Sequence, residues 1–78
     1  MPRYYFDSVD DEVVVIDDIG LSFPDIESCK AEAARALAEI ARDIVPDLER
    51  RELAIVVRDE ERRPLFRTTI VFEVHELS

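Results

Sequence analysis

FPDIESCKAEAARALAEIARDIVP, residues 23 to 46, is the stretch on which the fold turns. Asp25 is a good N-cap, its carboxylate able to accept from the free amides of the following turn, and Pro24 stands just outside, where its missing N–H does no harm. Ile26, Cys29, Ala33, Leu37, Ile40 and Ile44 then recur at intervals of three or four, the pattern of one buried helical stripe. Pro46 disfavours helical geometry at Val45. The expected helix therefore covers about residues 26–44 and is roughly 28 Å long at about 1.5 Å per residue. Ser28, Glu32, Arg35, Glu39, Arg42 and Asp43 fall in one polar arc, where Glu32 can pair with Arg35 and Glu39 with Arg42. A second apolar line, Ala31, Ala34, Ala38 and Val45, faces away from that stripe. It reads either as a small-residue seam for another helix or as alanine chosen for helix propensity alone.

Upstream of the helix, residues 3–9 and 12–16 are rich in aromatic and β-branched residues and are separated by Asp10-Asp11, which reads as strand, turn, strand. Gly20 follows Asp17-Asp18-Ile19, where a positive φ would let the chain leave the sheet. Downstream, Leu53, Ile55 and Val57 alternate with Ala54, Val56 and Arg58. Beyond a charged turn, Asp59 to Pro64, the residues Phe66, Thr68, Ile70, Phe72 and Val74 alternate with Arg67, Thr69, Val71, Glu73 and His75. The order is β-β-α-β-β. A long helix on a four-stranded antiparallel sheet is the expected α+β architecture, in a single domain over 1–78. Setting the first strand between the second and the third keeps every neighbour antiparallel, an order of 2-1-3-4.

This arrangement leaves apolar residues without an assigned place. If Tyr4, Phe6, Val14, Ile16, Leu53, Ile55, Val57, Phe66, Ile70 and Phe72 face the helix, then Tyr5, Val13, Val15, Ala54, Val56 and Val71 lie on the open face. A patch of that size suggests a partner, and small domains commonly reinforce a thin core by pairing. The expectation is a homodimer through Tyr5, Val13, Val15, Val56 and Val71, or through Ala34 and Ala38 on the helix. The alternative is that the stems of Arg58, Arg67 and Glu73 cover the open face.

With 10 basic and 19 acidic residues among 78 the net charge is −9. Residues 1 to 29 hold eight acids against Arg3 alone, a net −7. A chain this acidic is repelled by nucleic acid and by anionic membranes, so neither is an expected partner. No apolar run has the length of a membrane span, the start Met1-Pro2-Arg3-Tyr4-Tyr5-Phe6 lacks a secretory signal, and one cysteine cannot form an internal disulfide; the expectation is a cytoplasmic protein.

No catalytic motif is present: no Gly-rich phosphate loop, no Cys-x-x-Cys, no His-Glu-x-x-His and no Gly-x-Ser-x-Gly. No catalytic residue and no cofactor are assigned. Cys29 falls on the core stripe as a small buried thiol, and His75, the single histidine, sits at a strand end. Arg62, Arg63 and Arg67 could hold an anion, but Glu60 and Glu61 stand beside them. Asp7, Asp10, Asp11, Asp17 and Asp18 gather carboxylates along the first hairpin. Such a cluster can steer a basic protein, bind a hard cation such as Ca²⁺ or Mg²⁺, or serve as a solvated rim.

The opening Pro2-Arg3-Tyr4-Tyr5-Phe6-Asp7, the turn Asp17-Asp18-Ile19-Gly20-Leu21 leading to Phe23-Pro24-Asp25, the Glu32-Ala33 step and the Val57-Arg58-Asp59-Glu60 to Arg63-Pro64-Leu65 hairpin resemble a family of small bacterial proteins with a domain of unknown function. Its members commonly carry histidine where this chain has Asp7, so no role for that histidine transfers. Over residues 4–45 the chain also resembles HicB-type antitoxins, whose Phe-Pro-Asp-Leu-Pro-Gly-Cys stretch corresponds in part to Phe23-Pro24-Asp25-Ile26-Glu27-Ser28-Cys29. That resemblance implies an acidic protein masking a basic one. The leading expectation is a non-enzymatic, homodimeric interaction module whose acidic hairpin engages a basic partner; masking of a basic protein and weak divalent-cation binding are the alternatives.

Overall fold

A computed structural model describes residues 1–44 and 50–78. Its elements are β1 (Arg3–Asp10), β2 (Val13–Val15), β3 (Leu21–Ser22), α1 (Ile26–Arg42), β4 (Arg50–Arg58) and β5 (Pro64–Glu73). The expected α+β order is present, with the helix packed against one antiparallel sheet in the order β2-β1-β4-β5. The expected 2-1-3-4 order is thus the observed one, and the two-residue β3 is an addition to it. Pairing Arg3 with Ser22 and Tyr4 with Leu21, β3 lies along the same edge of β1 as β2. The Pro2 carbonyl accepts the Phe23 N–H on that side, while the Arg3 N–H donates to Glu60 on the other.

The helix starts where the sequence places it. The Asp25 carboxylate accepts the Ser28 N–H at 2.8 Å, as an N-cap should. It ends two residues before the expected 44, because Asp43 and Ile44 donate to Ile40 and Ala41 in bonds that tighten the last turn. Val45 and Pro46, and with them the expected cause of termination, lie outside the described residues. Cys29, Ala33 and Leu37 are fully buried against Tyr4, Leu53, Ile55 and Val57, and Phe6, Phe23, Ile44, Phe66, Ile70 and Phe72 pack around them. Phe6 and Phe23 meet edge to face at 5.8 Å. In the polar arc Arg35 takes both Glu32 and Glu39, and Arg42 turns to Asp43 instead of Glu39. Among the described residues no helix is long and apolar enough to cross a membrane.

The second strand faces the opposite way from the alternation reading. A two-residue loop, Asp11-Glu12 with Asp11 at φ 53°, pairs Asp10 with Val13 and Ser8 with Val15. Cross-strand partners in an antiparallel pair share a face. Val13 and Val15 therefore lie on the helix side with Ser8 and Asp10, and Val14 lies on the open side with Val9. The expectation that Val14 and Ile16 face the helix, and that Val13 and Val15 join the open face, is corrected by that turn. The helix packs chiefly over β4 and β5, so β2 is covered on neither face: Val13, Val14, Val15 and Ile16 are 65%, 53%, 61% and 61% exposed.

Candidate functional site

Two ends of the N-terminal hairpin are pinned by ion pairs, and an apolar edge spans the distance between them. At the first end Asp7 is 5% exposed. Its Oδ2 accepts Nε of Arg58 at 2.6 Å, and its Oδ1 accepts Nη2 of Arg58 and the Asp17 N–H, both at 3.0 Å. Arg58 also donates to the Asp17 carbonyl at 3.1 Å and lies 5.3 Å over the Tyr5 ring. The Asp17 carboxylate accepts the N–H groups of Phe6, Ile19 and Gly20 at 3.0, 3.0 and 3.1 Å. A side chain here takes the place of a missing strand, satisfying the β1 amide between β2 and β3. Gly20, at φ 76°, completes the loop, and Arg3 holds the carbonyls of Ile19 and Gly20.

At the other end Arg51 grips Asp10 with two bonds, of 3.0 and 2.6 Å. Asp11 donates its N–H to the Glu52 carbonyl and accepts the Glu52 N–H on its carboxylate.

These contacts set the charge states. Burial pushes the Asp7 carboxyl up, but the Arg58 guanidinium and the Asp17 N–H outweigh it and hold it below the usual carboxylate range. Asp17 follows the same balance, burial being outweighed by the three backbone donors. The Arg51 guanidinium lowers Asp10 against a smaller opposing effect of burial. Burial raises the Cys29 thiol, the opposite of what a reactive cysteine needs.

Of the five acids read from the sequence as a partner surface, Asp7, Asp10 and Asp17 are thus spent within the fold, Asp11 ties the hairpin tip to β4, and Asp18 makes no ion pair among the described residues. Glu12, not singled out in the sequence, is likewise exposed and makes no ion pair among the described residues. Among the described residues no three histidine, cysteine or acidic side chains are placed to hold a metal ion.

The open face is dressed by charge. Arg67 pairs with Glu52, Arg50 with Glu52 and Glu73, and Arg58 with Asp7, above a fully buried Ala54 and a half-buried Val56. Tyr5 lies half-buried under Arg58, and Val71 is exposed at the margin. Ala34 and Ala38 are exposed on the helix.

A cleft of about 640 Å³ beside the Asp7–Arg58 ion pair is lined by Tyr5, Asp7, Ile16, Asp18, Arg58 and Arg62 among others. It holds no serine, cysteine or histidine, and its shifted carboxyls are lowered, whereas a general acid at neutral pH needs one raised. On the helix side a groove of about 300 Å³ runs between Val13 and Val15 of β2 and Leu37 and Ile40 of α1.

What the sequence reading missed is the edge itself. Even-numbered residues of β1 turn their backbone groups toward β2, as the Phe6 N–H shows, and they engage Val13 and Val15. Val14 and Ile16 therefore present N–H and C=O to solvent. The signal lay in the two-residue spacing between Asp10 and Val13, which sets the phase of the strand.

A family model described as a domain of unknown function (DUF6894) matches residues 3–71, and the chain belongs to that family. No curated protein and no solved structure matches it.

Proposed function

We propose that this member of the DUF6894 family is a non-enzymatic protein-interaction module whose contact surface is the outer strand of its N-terminal hairpin. The observation that carries the reading is the exposure of Val13, Val14, Val15 and Ile16 on both faces, along an edge whose outward backbone groups have no partner among the described residues. Edge strands are normally blunted by charge, proline or a covering loop. The far edge follows that rule: β5 opens at Pro64, carries Arg67 and Glu73, and turns Phe66, Ile70 and Phe72 to the helix. Between Val13 and Ile16 the β2 edge carries no charge at all.

Homodimerisation is the second reading, favoured by the groove between β2 and α1, which the valines of a second copy could enter. The open sheet face has less apolar area to offer, since ion pairs lie across it. A photo-cross-linking residue placed at position 14, with positions 34 and 56 as controls, tests the surface in cells that make the protein. Adducts at 14 well above those at 34 and 56 are expected. Equal labelling at all three, or none at 14, would overturn the reading. Sedimentation at micromolar concentration separates a self-adduct from a heterologous one.

A further inference from the structure

Resting on that reading, we infer that the β2 edge takes an extended segment of a basic protein, with apolar residues at its centre and lysine or arginine at both ends. The backbone argument comes first. Val14, and Ile16 just past the end of β2, share the outward parity, so an added strand finds the N–H and C=O of alternate residues, the geometry of strand addition. Side chains on both faces of the edge are apolar, so the middle of the incoming strand buries valine surface on either side. The ends of the edge are acidic. Glu12 stands at one and Asp18 at the other, both exposed and neither in an ion pair among the described residues.

Charge also favours a foreign strand over a second copy. Antiparallel self-pairing with Val14 on the two-fold axis sets Asp11 beside Asp17 of the other copy, and Asp10 beside its Asp18. A shift by one pair sets Glu12 against Asp18. These two registers bring acid against acid, and each chain already carries −9; like charges directly opposite destabilise a strand pair. A strand flanked by cations reverses every one of these contacts and gains long-range steering as well.

Fluorescence anisotropy tests this with a short labelled peptide of alternating valine and threonine bearing paired arginines at each end, and with the same peptide bearing glutamates. The wild-type chain should bind the first and not the second, more weakly as salt rises. Val14→Pro removes an outward donor while leaving the inward bonds of Val13 and Val15 to β1, and should weaken binding about fivefold or more. Glu12→Gln combined with Asp18→Asn changes only exposed side chains and should weaken it about threefold or more, with a flatter salt dependence. Circular dichroism checks that each variant folds; should Val14→Pro unfold the hairpin, the Glu12 and Asp18 pair decides alone. Equal binding of the two peptides, or affinity unmoved by the charge variant, overturns the inference. A dimer in sedimentation with no peptide binding also overturns it, while leaving β2 standing as the contact surface.

Discussion

Gly20 and Asp7 are the two residues on which the hairpin's shape depends. A Cβ at Gly20 would lie 2.9 Å from the Tyr4 carbonyl oxygen and 2.9 Å from Cγ of Arg3, on a backbone at φ 76° that L side chains rarely adopt. Arg3 can move, but the Tyr4 carbonyl cannot without disturbing β1. Gly20→Ala should therefore lower stability by about 2 kcal/mol, read as a shift in the urea midpoint; no shift would mean the loop is not held as described. Asp7 is a different case, because removing it strands the Arg58 guanidinium in a mostly buried position. Asp7→Ala should lower stability by about 3 kcal/mol. Arg58→Ala in the same background should add much less than it does alone, since the two share one interaction. Additive losses would show that the pair is not a unit.

At the scale of elements, β2 and the loop after it divide what the sequence discloses from what it conceals. The helix was legible because a cap, a 3.6-residue period and a single apolar stripe agree, and they place Asp25, Cys29, Ala33 and Leu37 correctly. Alternation of Leu53, Ile55 and Val57 placed β4 equally well. In Val13–Ile16 every position is apolar, so alternation has no phase, and the face is set by the turn two residues upstream. Asp7 and Asp17 could be read as acids on a hairpin, but their burial depends on which residue of β4 comes opposite; that register brings in Arg58 from 51 positions away. The strand β3 was not legible, since the Asp17 carboxylate, not an apolar pattern, bridges its gap to β2. Amide exchange tests the phase directly. Val13 and Val15 should be protected and Val14 and Ile16 should exchange as freely as loop amides; the reverse order would put the inward and outward residues the wrong way round.

On the whole-molecule scale the chain is long and thin, with a radius of gyration of 14.1 Å, against about 11.5 Å for a compact domain of its length. A helix set over β4 and β5 covers one half of the sheet on one side, and ion pairs cover the other side, which leaves the hairpin edge as the bare region. Acid should loosen this arrangement first at the carboxylates that pin the hairpin. Asp7, Asp10 and Asp17 are held below the usual carboxylate range in the folded chain, so their stabilisation is present at neutral pH and is lost as pH falls below about 4 and through their folded values. The urea midpoint should be level between about pH 5 and 7 and decline below about 4, less steeply in Asp7→Asn. A decline already complete at pH 5 would point to other groups. The most direct measurement of the edge is amide exchange at Val14 and Ile16 with and without the arginine-flanked peptide. Both amides should slow on addition of the peptide while those of Thr69 and Val71 on β5 stay as they were. Unchanged exchange at Val14 and Ile16, with slowing along β5 or nowhere, would contradict the assignment of β2 as the surface this protein uses.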